Sequence, residues 1–404
     1  MHWTVHLTGG PRRVNHAAVL NDNKIFTFGG YCSGEDYVKR RPMDVYILNT
    51  ESLRWSAVPV ASKGHPQYSL TPYQRYGHSA VVHEGNIYIW GGRNDRFVCN
   101  KLFCFNCETR QWSCPEVTGQ IPEARDGHSA CVYQGRMYIF GGYIDEETQF
   151  TQDVYALDLT TFHWTFIRTS GEPPSYRDFH TANIIDGRMY IWGGRGDESS
   201  LYHSGSEVYC PDLVYLDLKY FTWIRPNTTG SVPVGRRSHS AFVYGDGLYI
   251  FGGYNGLVEE HYNDIYRYCT RRQEWARVIP HGAPPTKRRR QSCIIKGDTL
   301  IMFGGSSPLS ALDKESRELV EASRPFISPV NNTSHPYDPG FGESNLVDND
   351  DLHVLDFAPS LRTLSLVAVI AHNLSTRNLP RQLLWEVRAM TAANSVRAAS
   401  SKTG

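Results

Sequence analysis

The polar and apolar positions of this chain fall into short runs of alternating or fully apolar character, each closed by turn residues. Ala130-Cys131-Val132-Tyr133 and Met137-Tyr138-Ile139-Phe140 are two β-prone runs separated by Gln134-Gly135-Arg136. That spacing predicts a hairpin. Arg125-Asp126-Gly127-His128-Ser129 precedes the first run. Gly141-Gly142-Tyr143 follows the second, then a third run at Asp153-Val154-Tyr155-Ala156-Leu157 and a fourth ending at Trp164. The double glycine suits a crowded point that a Cβ would block.

The same unit recurs. Glycine pairs stand at Gly29-Gly30, Gly91-Gly92, Gly141-Gly142, Gly193-Gly194, Gly252-Gly253 and Gly304-Gly305, at steps of 62, 50, 52, 59 and 52 residues. Each pair follows an Arg-x-x-His or its remnant: Arg13/His16, Arg75/His78, Arg125/His128, Arg177/His180, Arg236/His239 and Arg288/Gln291. Five pairs are followed by a tryptophan strand, at Trp55, Trp112, Trp164, Trp223 and Trp275. A period near fifty residues with a double glycine and a late tryptophan resembles the kelch repeat, one four-stranded propeller blade. The resemblance implies an all-β, six-bladed kelch β-propeller over residues 1–357.

The sixth unit has a third strand at 352–357 but no tryptophan strand after it, whereas Trp3 has no blade before it. Residues 2–6 therefore read as the missing outer strand of blade six, removing a free sheet edge. Residues 306–350 are polar and hold five prolines, and read as a flexible insertion or lid. Beyond Pro359 the pattern turns helical. Ser360 is an N-cap for a helix from Leu361 to about His372, and a second helix starts at Pro380. Residues 391–404, small and polar, are expected to fray.

The chain carries 41 basic and 41 acidic residues, but the halves differ. Six of the basic residues and one acid lie beyond Phe357, so the tail is basic and the propeller mildly acidic. That balance gives no general pull toward nucleic acid or membrane. Nine scattered cysteines fit a reducing compartment, cytoplasmic with the nucleus as alternative, and no apolar run reaches membrane-spanning length.

The candidate chemistry sits in the loops at one channel mouth. Arg13, Arg75, Arg125, Arg177, Arg236 and Arg288 open the inner strands. They either salt-bridge to loop acids such as Asp126 and Asp178 or form an anion pocket. Tyr31, Arg93, Tyr143, Arg195, Tyr254 and Ser306 follow the double glycines on the same side, a composition common in recognition surfaces. The histidines read as structural, since ligands spread around a wide channel do not gather at tetrahedral distance. Cys104 and Cys107 point to opposite faces of a strand, which argues against zinc or redox use. The run Lys287-Arg288-Arg289-Arg290 coincides with the sixth arginine loop, more economically than with a nucleic-acid patch. No catalytic motif stands out, and nothing asks for a cofactor or metal.

The tail carries two further patterns. Ser360-Leu361-Arg362-Thr363-Leu364-Ser365-Leu366-Val367-Ala368-Val369 resembles the BC box, with Ser365 in the usual cysteine place. Leu379-Pro380-Arg381-Gln382-Leu383 resembles the cullin-2 box. The alternative is a helical hairpin packed on the propeller itself. Together with the repeats, the tail resembles the kelch domain-containing substrate receptors of cullin-2 ubiquitin ligases. That resemblance implies a non-catalytic receptor whose residues 358–390 engage elongin C and elongin B, cullin-2 and a RING-box subunit. Ser360, Leu361, Leu364, Ser365, Val369, Leu379, Pro380 and Leu383 would carry the contact. It also implies a propeller that reads glycine-ended C-termini. A terminal carboxylate needs a fork of fixed charge, which suits arginine. Arg236 is the leading candidate, with Arg288 and Arg177 beside it, Arg125 and Arg75 around the same mouth, and Arg237 taking the role if the register differs by one. Tyr31, Tyr143, Tyr254 and Arg195 would wall the peptide. The competing class is a scaffold or chromatin-associated propeller in meiotic recombination, without a ligase.

Overall fold

The computed structural model describes residues 1–309 and 345–398. Among these residues the main strands form six antiparallel blades whose inner strands contact one another in a closed ring. Blade three is representative. Its inner strand Ser129–Tyr133 pairs with Arg136–Phe140, which pairs with Val154–Asp158, which pairs with His163–Phe166. Second strands are almost wholly buried because neighbouring blades cover both their faces. The core therefore lies between blades. Phe140 and Val154 of blade three pack with Met189, Ile191 and Trp223 of blade four, the Phe140 and Trp223 rings edge-on at 5.3 Å. Cys104 and Cys107 fall in two different core clusters, on opposite faces of their sheet.

One residue per blade makes the joint. The Arg75 carbonyl accepts from Gly30 N–H of blade one at 2.8 Å, while its Nη1 donates to the Gly91 carbonyl of its own blade at 3.2 Å. The same side-chain bond recurs from Arg125 to Gly141, Arg177 to Gly193, Arg236 to Gly252 and Arg288 to Gly304. The backbone bond runs round the full circle, ending with Gly305 N–H on the Arg13 carbonyl at 3.0 Å. A Cβ on Gly29 would come within 2.6 Å of the Arg75 carbonyl, which is why the double glycine recurs.

A second circle runs through the inner strands. His128 Nε2 meets Ser79 Oγ at 2.8 Å, Ser129 Oγ meets His180 Nε2 at 2.7 Å, Thr181 Oγ1 meets His239 Nε2 at 2.9 Å and Ser292 Oγ meets His16 Nε2 at 2.8 Å. Gln291 takes the place in blade six and donates to Ser240 Oγ. His78 faces the blade whose equivalent residue is Ala17, and neither of its ring nitrogens has a partner.

The N-terminal strand His2–Leu7 pairs antiparallel with Leu352–Asp356 and supplies blade six with its outer strand. Trp3 joins a core cluster with Phe251, Leu300 and Leu355. Linkers entering blades three and five lay two residues parallel along the outer strand. Blade one has no such linker. Residues 397 and 398 cover its edge instead, pairing parallel with Ser56 and Ala57. Asn394 N–H donates to the Thr8 carbonyl at 2.7 Å, and Gly9 is needed there because a Cβ would meet Asn394 O at 2.0 Å. Fraying from 391 is thus corrected: backbone pairing holds the tail as far as 398, and residues 399–404 lie outside the described region. The insertion expected at 306–350 is also anchored at its ends, where Ser306–Pro308 pairs with Leu346–Asp348. Residues 310–344 lie outside the described region.

Three helices are described. Helix α1 (Pro66–Leu70) lies in the linker into blade two. Helices α2 (Leu361–Ala371) and α3 (Arg381–Thr391) form the expected hairpin. Ser360 Oγ accepts from Thr363 N–H at 3.0 Å. Among the described residues, no helix is long and apolar enough to cross a membrane.

The histidine circle sets a pH limit. Burial first, and the neighbouring arginine second, hold His16 down to about 4 and His78, His128 and His239 down to about 3. Below the unfolded value of 6.5 the unfolded chain binds protons that the folded chain refuses. Stability is therefore complete above pH 6.5 and falls as pH drops toward 4. At pH 5 each such histidine costs about 2 kcal/mol, from about 1.4 kcal/mol per pH unit. Asp126, pushed up to about 7 by burial, works in the opposite sense but is outnumbered. We expect the thermal midpoint to drop steeply between pH 6.5 and 5. A flat profile over that range, measured by calorimetry, would contradict the neutral buried circle.

Candidate functional site

The conserved geometry of the units decides which side chains reach the channel mouth. In every unit the residue after the arginine bridges, antiparallel, the residue after the double glycine. The pairs are Val14 with Tyr31, Tyr76 with Arg93, Asp126 with Tyr143, Asp178 with Arg195, Arg237 with Tyr254 and Arg289 with Ser306. Successive residues of an extended segment face opposite ways. The arginines that begin the units therefore turn into the seams between blades, and their neighbours line the mouth.

This corrects the leading candidates. Arg236, Arg288, Arg177, Arg125 and Arg75 are spent on glycine carbonyls, and it is these partners rather than burial that set them apart, since Arg237 is 3% and Arg289 0% exposed. Arg236 Nη1 also meets Asp264 at 2.5 Å, Arg125 Nη1 meets Asp153 at 2.5 Å and Arg288 grips both oxygens of Asp351. None of the five is placed to take a ligand's carboxylate in the mouth. Arg237, expected only if the register shifted by one, is the residue that reaches it.

The mouth brings together three cations that follow one another around blades five and six. The Tyr254 ring has the Arg289 guanidinium 4.6 Å from its centroid and that of Arg237 at 5.6 Å. Arg290 donates from Nη1 to Tyr31 Oη at 2.7 Å. Arg237 Nε donates to Tyr209 Oη at 3.3 Å, while its Nη1 is buried with no hydrogen-bond partner. The field is strongly positive here. His261, 4.5 Å from Tyr254, is pushed down to about 3 by burial and then by Arg289, Arg290 and Arg237. Burial pushes the Tyr209 hydroxyl up to about 12, with Arg237 pulling against it.

Acids accompany arginines on blades two to four, the nearest being Glu207, which accepts from the Tyr209 hydroxyl that Arg237 also contacts. Arg195 grips Asp178 through both oxygens, at 2.5 and 3.1 Å, and meets Glu207 at 3.2 Å. Arg93 meets Asp145 at 3.0 Å and lies 4.0 Å from Asp126. Tyr31 and Tyr143 are buried walls, and Tyr31 packs edge-on against Tyr76 at 5.5 Å.

The hairpin presents a second surface. Helix α3 packs on the N-terminal strand, where Met390 abuts the cluster of Val5, Leu7 and Trp55, and Leu366 of α2 is buried. Arg362 and Glu386 pair across the two helices. Leu361 stays 84% exposed, Leu374 54% and Trp385 53%. Leu364, Val369, Leu379 and Leu383 are half-buried, and Ser360, Ser365 and Pro380 are exposed. Ser365 Oγ donates to the Leu361 carbonyl, so its hydroxyl is turned back onto its own helix. The hairpin thus combines the two arrangements set out from sequence: one face docks on the propeller and another is left open.

The KLHDC2/KLHL20/DRC7 Kelch-repeats domain matches residues 77–305, and the Kelch motif matches residues 12–59. Kelch domain-containing protein 3 of Bos taurus and of Homo sapiens are each 44% identical over 398 residues, covering 98% of this chain and 97% of theirs. The chain belongs to the Kelch domain-containing protein 3 family. Host cell factor 2 of Homo sapiens is also similar, at 28% over 251 residues, 59% of this chain and 31% of that protein.

In this member of the Kelch domain-containing protein 3 family, the sequence reading missed Arg289 and Arg290 as mouth residues. Their signal was the run 287–290, whose four cations separate completely. Lys287 pairs with Glu260, Arg288 enters the seam, and Arg289 and Arg290 reach the mouth. Leu374 and Trp385 were also missed, because neither falls on a box position. One set of possible metal ligands converges among the described residues: His6, Asp351 and His353. Its carboxylate is already held by Arg288.

The two arginine classes give different expectations. Arg236→Ala should destabilise the propeller by about 3 kcal/mol, since it strips Asp264 and Gly252 of a buried partner. Arg237→Ala, which loses a bond to Tyr209 and no ion pair, should cost less, about 1 kcal/mol. Urea denaturation of both variants checks this, and equal losses would contradict the division.

Proposed function

We propose that this protein is a substrate-recognition subunit of a cullin-2 RING ubiquitin ligase that binds the extreme C-terminus of its targets. The observation that carries the reading is the buried guanidinium nitrogen of Arg237 that has no hydrogen-bond partner, set beside Arg289 on the Tyr254 ring. A C-terminal glycine offers a carboxylate with no side chain, so it can enter deeply enough to meet Arg237 with Arg289 alongside. Arg290, Tyr31, Tyr143 and Tyr254 form its walls. Asp126, which lacks a close ion pair at 4.0 Å from Arg93, suits a basic residue earlier in the peptide. The receptor does no chemistry itself. Its partners are elongin C and elongin B, cullin-2 and a RING-box subunit, recruited by the open face of the hairpin. Binding needs neither membrane nor nucleic acid, and the cytoplasm, with the nucleus, is the proposed location.

Each hydrogen bond to a charged group contributes roughly 1.5–3 kcal/mol. Arg237→Ala should therefore weaken a glycine-ended peptide about tenfold to a hundredfold, and amidating the peptide should cost at least as much. Calorimetric titration of free-acid and amide peptides decides it. Equal affinity for the two would sink C-terminal reading and favour a general scaffold.

The hairpin has its own test. Leu361→Ser with Trp385→Ser removes exposed apolar groups without touching Leu366 or Met390, so the propeller should keep its melting temperature and lose capture of purified elongin B–elongin C. Undiminished capture would refute this surface.

A further inference from the structure

Five of the six blades carry an aspartate five residues before the last residue of their third strand: Asp44, Asp153, Asp212, Asp264 and Asp351. In blades one, three, five and six it pairs with that blade's seam arginine. In blade four Asp212 pairs with Arg225, and the Nη2 of Arg177 donates to Ser175 Oγ instead. Blade two breaks the pattern with Lys101. Arg75 Nε donates to the Tyr73 carbonyl and Nη1 to the Gly91 carbonyl, but Nη2 is buried with no partner. It is the only η nitrogen of the six seam arginines left so among the described residues.

Arg75 is part of the wall of a cavity of about 560 Å³ on the outer side of blades one and two. The volume is that of a small-molecule site. Four cationic side chains line it, Arg40, Arg41, Arg75 and Lys101, and no carboxylate among the described residues does. Arg41 is paired with Glu35 outside it. Arg40 is held by rings, its guanidinium 4.1 Å from the Phe97 centroid and 5.2 Å from that of Tyr73. Tyr73 in turn has Arg75 at 3.9 Å on its ring. Tyr68 and Phe103 add flat apolar wall.

A buried guanidinium without its carboxylate, with a lysine where the carboxylate belongs, leaves uncompensated positive charge at the cavity wall. We propose that this cavity is a second ligand site, separate from the channel mouth, that takes a phosphate monoester bearing an aromatic ring. The phosphate oxygens accept from Arg75 Nη2, Lys101 Nζ and Arg40, and the ring lies against Tyr68 and Phe103. A doubly charged phosphate matches three cations better than a single carboxylate does.

The probes are phenyl phosphate, inorganic phosphate and benzoate, titrated calorimetrically into the full chain. Phenyl phosphate should bind saturably and at least tenfold more tightly than either of the others. Lys101→Asp restores the pattern of the other blades and gives Arg75 its carboxylate, so it should abolish phenyl phosphate binding while raising the melting temperature. Lys101→Gln removes the charge without supplying a partner and should weaken binding about tenfold. Glycine-ended peptides should bind both variants as they bind wild type, which separates this site from the mouth. No saturable binding of phenyl phosphate to wild type, or equal binding to wild type and Lys101→Asp, overturns the proposal. Equal affinity for phenyl phosphate and inorganic phosphate overturns the aromatic part of it.

Discussion

Everything in this propeller hangs on one two-way joint. In five of the six blades a seam arginine gives its backbone carbonyl to the blade before it and its guanidinium to the glycine carbonyl of its own blade, while Arg13 makes the backbone half alone. Both bonds are out of water, where an unmade hydrogen bond is costly, so the joint is all-or-none. Twisted four-stranded sheets have no intrinsic reason to stop at six around a circle. The repeated joint fixes the angle between neighbours, and the glycines exist because the carbonyl sits where a Cβ would be.

The joint also explains how the protein separates structure from recognition. Within three residues the chain commits one side chain to the seam, the next to the mouth and the one after to the channel wall. Seam positions are nearly uniform, and mouth positions vary from Val14 to Asp178 to Arg289. A scaffold of this kind can change what it recognises without changing how it is held together, because the two tasks fall on residues of opposite orientation. Much of the mouth's charge is written in the second position, acidic at Asp126 and Asp178 and cationic at Arg237 and Arg289, with Arg290 adding a cation from the third.

The fold was legible in the sequence because periodicity, double glycines and tryptophans are backbone requirements, and those are local. The displaced strand of blade six was legible for the same reason: Trp3 lacked a blade and blade six lacked a tryptophan. The mouth was less legible. An arginine at the start of an inner strand looks the same whether it faces solvent or a buried carbonyl, and only the bridge between Arg237 and Tyr254 fixes which way the alternation runs. Arg236 and Arg237 differ by one residue in sequence and by the whole thickness of the blade wall in role. The tail's polar composition suggested fraying, yet Asn394 and residues 397 and 398 are held by backbone bonds, which composition does not report.

The displaced outer strand has a consequence for how the molecule is made. His2–Leu7 is synthesised some 345 residues ahead of its partner Leu352–Asp356. At about 5–20 residues per second, translation leaves that strand without its pairing for on the order of tens of seconds. Five blades can assemble in that interval, one on the next, while the ring stays an open arc. The N-terminal strand, with Trp3 for one core cluster and Val5 and Leu7 for another, is meanwhile an unsatisfied edge. Closure is therefore the last and most non-local event of folding, and the step at which a chaperone, or another copy of the chain, could compete for the strand.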